Sequence, residues 1–461
     1  MFREYDLRGR VNDHEINESS VAIIARAYGT MLRKRGIADA VVGYDLRSGS
    51  EEFAAIAIES LRAAGVNAIA LGRVLTPIMY AAQFHYQTEG GMMVTASHNP
   101  NGWLGFKLAL GYAYTLGPEE MQELRELTVS EAFSNGHGSL EEVDYIPIYT
   151  QDILGRVTLA RPVRVLVNAG NGTAGPIAPP ILRKAGCEVF EFLTEPDMEF
   201  KRYFPNPSRE DMMEDTGHYT IQHRAEIGLA FDGDGDRLGV TDEKGAIVWP
   251  DRFMILLSRD ILKSLPGSTI IFDVKSSRAL PEDILRHGGK PVMWKTGHSY
   301  IKAKLHELQA PLAGEMSGHI NFGPPYYYGF DDGVFTALKL LEMLSQSTTP
   351  LSEMLAATPS YVSSPTLNAP CPDEMKYDIV AKLVRGFQDE GLDVTTFDNN
   401  PRLGGRIDFG DGWALVRASS NLPVLVMRFE ASTEARLEEL KEMFREKFKA
   451  YPEIGDEWET G

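Results

Sequence analysis

In Phe231-Asp-Gly-Asp-Gly-Asp-Arg237, three carboxylates alternate with two glycines. Glycine lets the backbone curl, so Asp232, Asp234 and Asp236 can converge on one point. Converging carboxylates repel one another unless a cation sits among them, and oxygen-only ligands favour a hard ion such as Mg2+. A calcium loop is the first alternative, because Glu243 falls where such a loop, counted from Asp232, places its bidentate glutamate. Against it, Arg237 stands where the loop requires glycine, and the flanking runs read as strands rather than helices. A solvated acidic turn is the other alternative, a costly one between two apolar strands.

Three more clusters could carry chemistry. Met92-Met-Val-Thr-Ala-Ser-His-Asn-Pro100 delivers Ser97 beside His98 at the end of an apolar run. A serine hydroxyl is a weak nucleophile until a base or metal activates it, and alone this reads equally as a Ser/Asn turn. Gly314-Glu-Met-Ser-Gly-His319 brackets Glu315 and Ser317 with glycines, a spacing that suits reading two neighbouring sugar hydroxyls. Its ordinary reading is a glycine-rich surface loop. Arg417-Ala-Ser-Ser-Asn-Leu-Pro423 groups a guanidinium with hydroxyl and amide donors, as a phosphate clamp would. Taken alone, it is a structural turn. Tyr5 and Arg8 at the N-terminus, Lys107 after the Ser97 loop, and Lys295 with His298 add cations and titratable groups, each with an ordinary surface explanation.

The elements that must position these clusters repeat. Three times a β-branched run ends in a polar residue, a helix follows, a glycine stops it, and a second apolar run comes after. The runs begin at Ala40, Val163 and Thr269, about a hundred residues apart, too far for a solenoid. This predicts an α/β chain of three related domains with mixed sheets. Tyr361 to Pro372 holds three prolines and reads as a linker. Beyond it, a helix near Lys376–Gln388, a hairpin around Gly410-Asp-Gly412, a strand from Val424 and a charged helix from Thr433 to Ala450 predict a smaller C-terminal α+β domain. The expected boundaries are 1–150 with the Ser97 loop, 151–250 with the acidic loop, 251–360 with the Glu315 loop and 361–461 with the Arg417 loop.

Composition narrows the partners. The 461 residues carry a formal net charge of −19, which opposes sequence-independent binding to nucleic acid or anionic membrane. No apolar run approaches the roughly 20 residues that span a bilayer, and no secretory signal is visible. Two distant cysteines suit a reducing, cytoplasmic setting better than a disulfide scaffold.

The three long motifs occur in order, one per repeat, and in that combination the chain resembles the α-D-phosphohexomutases, closest to the bacterial phosphomannomutase/phosphoglucomutase group. The resemblance runs from Tyr5 to the final helix. It implies four domains around a central cleft and phosphoryl transfer between C1 and C6 of a hexose phosphate through phosphoserine Ser97, with a hexose 1,6-bisphosphate as intermediate and activator. By the same resemblance Asp232, Asp234 and Asp236 hold one Mg2+ with an oxygen on Ser97. Lys107, His98, Arg237 and His298 match catalytic positions. Tyr5, Arg8, Lys275, Glu315, Ser317, His319, Arg417, Ser419, Ser420 and Asn421 match substrate contacts. One departure lies at Ser420-Asn421-Leu422, where the family usually has Ser-Asn or Gly-Thr followed by a polar residue. Met316 stands where glucosamine mutases usually carry glutamine, which favours glucose and mannose phosphates. The resemblance implies a cytoplasmic monomer or weak homodimer. A phosphoglucosamine mutase, a serine-based sugar phosphatase and a non-catalytic sugar-phosphate binder are the alternatives.

Overall fold

The computed structural model describes residues 1–2, 6–397, 399–419 and 422–460. Its first three sheets share one plan. In the first, Asp39–Tyr44 pairs in parallel with Asn67–Arg73 on one side and Gly90–Val94 on the other. Trp103–Leu110 then returns antiparallel to Gly90–Val94. In the second, Arg164–Asn168 lies between Glu188–Phe192 and Ile227–Phe231, with Leu238–Asp242 returning antiparallel. In the third, Thr269–Asp273 lies between Lys290–Trp294 and Leu312–Gly314, with Ile320–Phe322 returning antiparallel.

The Ser97 loop, the acidic loop and the Glu315 loop therefore occupy one topological position. Each joins the last parallel strand to its antiparallel return, at the carboxyl end of the sheet where α/β folds gather their sites. The chain is an α/β protein of three such domains plus a fourth, as the repeat predicts.

The fourth domain is an antiparallel sheet of Asp393–Phe397, Asn400–Asp408, Gly412–Ala418, Val424–Ala431 and Leu367–Pro370, covered by helices Lys376–Asp389 and Glu434–Phe448. Here the linker expectation needs correcting. Val362–Ser363 and Leu367–Pro370 both pair with Val424–Ala431. Of the three prolines only Pro370 falls within a strand, at its last position.

Apolar residues of the first three domains merge into one core, with Leu75 and Tyr80, Val165 and Phe231, and Phe253 and Phe335 among its members. The fourth domain packs its own core around Phe387, Phe429 and Phe444. Its seam to the third is narrower: a small cluster of Val274, Phe397, Trp413 and Leu415, flanked by polar contacts. Arg406 lies over the Trp413 ring and donates to the carbonyls of Val274 and Ser276 at 2.9 and 2.8 Å. Arg428 donates to the carbonyl of Lys275, and Glu430 accepts from the Arg278 backbone N–H.

Cys187 and Cys371 are both buried thiols, with no disulfide. Among the described residues, no helix is long and apolar enough to cross a membrane.

One buried carboxylate sets a pH dependence. Asp332 caps helix Gly333–Ser345 by accepting from the Phe335 N–H, and it also accepts from the hydroxyls of Tyr149 and Tyr327. Burial outweighs these bonds and raises its pKa to about 6. The folded chain then holds this proton more tightly than the unfolded one. Stability is full below the ordinary aspartate value and falls by about 3 kcal/mol as pH rises through about 6. Asp332→Asn keeps a capping oxygen and cannot ionise. Its urea midpoint should gain on the parent as pH rises from about 4 to 6; parallel curves would sink the assignment.

Candidate active site

The acidic loop curls as its glycines allow. Gly235 has φ +73°, a left-handed conformation. A Cβ on Gly233 would lie 2.4 Å from the carbonyl oxygen of Ser97, so glycine there lets the first two domains touch backbone to backbone. Asp232, Asp234 and Asp236 are fully buried, with ligand oxygens all within 4.8 Å of one another.

Ser97 Oγ donates to Asp232 Oδ2 at 2.9 Å and lies 3.1 Å from His98 Nδ1. Lys107, carried on the antiparallel return strand opposite Met93, donates to Oδ2 of Asp234 at 2.7 Å and to Oδ2 of Asp236. Thr76 donates to Asp234 Oδ2 at 2.6 Å. The Oδ1 atoms of Asp234 and Asp236 are buried with no hydrogen-bond partner among the described residues. Two free oxygens of this kind beside a third buried carboxylate fit a hard cation, so the donor set suits Mg2+.

Electrostatics agree with that reading. Burial, and then the neighbouring Asp236 and Asp234, push Asp232 well above the usual carboxylate range. Burial opposes the Lys107 charge, but Asp234 and Asp236 hold its ammonium well above the ordinary lysine value. Asp234 is pulled below its ordinary range by Lys107 despite its burial. Lys107 is spent on Asp234 and Asp236 and Arg237 lies 3.7 Å from Asp232, while Oδ1 of Asp234 and of Asp236 still lacks a hydrogen-bond donor among the described residues.

Glu243 does not serve this loop. Its carboxylate accepts from Ser352 N–H at 3.1 Å and from the Ser352 hydroxyl, at the start of helix Leu351–Ala356. That removes the calcium-loop alternative.

Around the cluster, Arg237 donates from Nε to His319 Nε2 at 2.9 Å, and the other ring nitrogen of His319 lies 2.7 Å from Asp331. His298 stacks on His319 with ring centroids 5.1 Å apart. Burial, then Lys302, holds the His298 imidazole well below the usual histidine range. Burial, then Arg237 and Arg8, does the same to His98, so both rings are neutral at pH 7. Arg8 sits on the strand Leu7–Arg10, which pairs with Trp103–Leu110, and reaches Asn99 at 2.6 Å. Leu7–Arg10 is thus an edge strand of the first sheet.

The Glu315 turn is closed by Glu315 N–H to the His319 carbonyl at 2.9 Å and is tied to the second domain by Leu238 N–H to the Gly318 carbonyl. Glu315 is buried, accepts from Gly297 N–H at 2.6 Å through Oε1, and has no partner on Oε2 among the described residues. Ser317 is half-buried on the same turn. Lys275 lies 4.0 Å from Asp273, and burial, the largest influence on it, lowers its pKa.

Arg417 and Ser419 lie on the hairpin between Gly412–Ala418 and Val424–Ala431, and the Arg417 charge acts on Lys275. The structure brings Ser97, His98, Lys107, the three aspartates, Arg237, His298 and His319 into one contact network. Lys275 is coupled electrostatically to Asp273, Arg417 and Glu315. Lys295 lies over the Tyr300 ring. Tyr5, Ser420 and Asn421 lie outside the described residues. Sequence reasoning missed Asp45, Arg47, Thr95, Lys302 and Asp331. For Asp45 a signal existed, since two of the three repeated strands run into aspartate and the third ends in asparagine.

Comparison with known proteins covers nearly the whole chain. Four family models match in order: phosphoglucomutase/phosphomannomutase alpha/beta/alpha domain I over residues 1–135, domain II over 147–245, domain III over 249–361 and the C-terminal domain over 367–447. A phosphomannomutase/phosphoglucomutase of Pseudomonas aeruginosa is 41% identical over 98% of this chain and 96% of its own length. A phosphoglucomutase of Neisseria gonorrhoeae is 38% identical over 98% of each. The crystal structure of a phosphoglucomutase/phosphomannomutase family protein from Burkholderia thailandensis superposes with a TM-score of 0.89 at 38% identity, covering 97% of both chains.

Proposed function

The chain belongs to the phosphoglucomutase/phosphomannomutase family, and from that membership we propose that it moves a phosphoryl group between C1 and C6 of glucose and mannose phosphates with Ser97 as the carrier. It is a phosphohexomutase, an isomerase acting by intramolecular phosphoryl transfer. The observation that carries the proposed role of Ser97 is its hydroxyl 2.9 Å from a buried cluster of three carboxylates that already holds one lysine.

In this reading Asp232, Asp234 and Asp236 hold Mg2+, which when bound neutralises charge on the transferring group. Lys107 and Arg237 add positive charge at the same place. Phosphorylated Ser97 gives its phosphoryl group to the free hydroxyl of the sugar phosphate, and a 1,6-bisphosphate results. That sugar turns in the cleft and returns its other phosphate to Ser97. Neutral His98 and His298 take the hydroxyl proton and give it back, and His319 contacts the substrate. Lys275, Arg417 and Ser419 hold the phosphate that is not reacting, with Ser420 and Asn421 beside them in sequence.

Glu315 Oε2 and Ser317 read sugar hydroxyls. Glu315→Gln replaces one buried acceptor by a donor, so KM for glucose 1-phosphate should rise about tenfold or more with a smaller change in kcat. An unchanged KM would remove Glu315 from the binding site. The test of the whole reading is a coupled assay with Mg2+ on glucose, mannose and glucosamine 1-phosphates. Formation of glucose and mannose 6-phosphates is expected, with glucosamine 1-phosphate a poor substrate. Inorganic phosphate released in step with substrate loss would mark a phosphatase instead.

A further inference from the structure

Ser97 has φ +50°, in the left-handed region that a non-glycine residue leaves unless its surroundings hold it there. The surroundings here come from a different strand end. Asp45 and Arg47 follow the strand Asp39–Tyr44, and both are buried, at 1% and 5% exposure. Asp45 Oδ2 accepts from Thr95 Oγ1 at 2.6 Å, and Thr95 Oγ1 in turn accepts from the Ser97 N–H at 2.8 Å. Arg47 donates to the Ser97 carbonyl and, at 3.2 Å, to that of Pro100. The two peptide groups flanking Ser97 are thus gripped from both sides. The grip is itself anchored, since Asp45 Oδ1 accepts from Ser50 Oγ at 2.6 Å and from Arg47 N–H at 3.0 Å.

The third domain repeats the device. Asp273 ends the strand equivalent to Asp39–Tyr44, and its Oδ1 accepts from Ser276 Oγ at 3.0 Å and from Met316 N–H at 3.3 Å, inside the Glu315 turn. Thr296 Oγ1 donates to Oδ2 at 3.1 Å. In the second domain the equivalent residue is Asn168. It accepts from Gly170 N–H, and its amide donates to Tyr203, Thr216 and the Met212 carbonyl rather than to the acidic loop.

We propose that Asp45, Thr95 and Arg47 are positioning residues that hold the Ser97 backbone in its left-handed turn, so that they govern the rate of phosphoryl transfer and not the affinity for sugar phosphate. Asp273 is their counterpart for the sugar-reading turn and governs affinity instead. The proposal rests on the reading of Ser97 as the phosphate carrier. Neither Thr95 nor Asp45 touches Ser97 Oγ; each acts through the peptide that aims it.

The test compares Thr95→Val, which removes the relay hydroxyl at constant shape, with Thr95→Ser, which keeps it. With glucose 1-phosphate, Mg2+ and glucose 1,6-bisphosphate, Thr95→Val should lose about 100-fold in kcat with KM within about twofold, as expected for a misplaced reacting group. Thr95→Ser should recover to within about fivefold of the parent, and Asp273→Asn should instead raise KM about tenfold. Arg47→Lys keeps the charge but loses the two-pronged grip. It should reproduce the kcat loss, and it provides a second measurement if Thr95→Val does not fold by circular dichroism. A Thr95→Val enzyme with parental kcat, a Thr95→Ser enzyme no better than Thr95→Val, or a loss expressed only in KM would overturn the proposal. Intact mass of the parent after incubation with glucose 1,6-bisphosphate keeps the premise separate. A phosphate on the Ser97 peptide upholds it, and none there overturns the carrier reading whatever Thr95 does.

Discussion

Ser97→Ala should abolish mutase turnover, with kcat falling by about 10⁴-fold or more, while the chain still folds. The expectation follows from what the hydroxyl touches. It is the side-chain atom that donates to the acidic cluster, at 2.9 Å from Asp232. Alanine keeps the backbone grips on Ser97 N–H and carbonyl, because neither involves the side chain. The lost hydrogen bonds should cost about 1 to 2 kcal/mol of stability, too little to unfold the chain. Two measurements check this: a coupled assay with glucose 1-phosphate and glucose 1,6-bisphosphate, and the urea midpoint. Near-parental turnover in the variant would remove Ser97 from the mechanism altogether.

Lys107→Met should be nearly as damaging and should also destabilise. Lys107 is 3% exposed, and its ammonium bridges Asp234 and Asp236, neither of which reaches water. Removing one partner of a buried ion pair strands the other, at a typical cost of about 3 to 5 kcal/mol. Removing one cation that faces the developing charge should also cut kcat by about 10² to 10³-fold. The two losses separate by metal. In chelator the variant should unfold at markedly lower urea than the parent. Millimolar Mg2+ should restore more stability to the variant than it adds to the parent, because a bound cation then takes over the charge that Lys107 balanced. Activity should stay low in Mg2+. A variant whose stability ignores Mg2+ would mean that the acidic loop is not a cation site.

Much of this was legible in the sequence because the signals are local. Strands Ile227–Phe231 and Leu238–Asp242 could be read from apolar runs on either side of the acidic loop, and the loop's curl from its glycines. The repeated strand–helix–strand unit showed the three domains. What could not be read is what long-range geometry creates. Nothing near Asp331 marks it as the partner of His319, twelve residues earlier in the chain and on another loop, or of Lys302 at 3.2 Å. Asp45 looked like a strand terminator, and its role appears only when Thr95, fifty residues later, lies against it. Tyr361–Pro372 looked like a linker because prolines dominate its composition, yet its backbone finds partners in Val424–Ala431. Local chemistry survives translation from sequence; the identity of a side chain's neighbour does not.

The unequal joints between domains also decide how this molecule bears a load. The first three domains all contribute to one apolar cluster, beside the first domain's own core, so force applied to any of them spreads through side chains of all three. The fourth is fastened to the third by a four-residue apolar cluster and by polar contacts, among them arginine-to-carbonyl bonds to the turn that carries Lys275 and the Arg428–Asp251 ion pair. Such contacts are short-ranged, since hydrogen bonds weaken steeply with distance. Tension between the two ends of the fold would therefore open this seam first and leave a stiff three-domain body with its serine and acidic loops still in register.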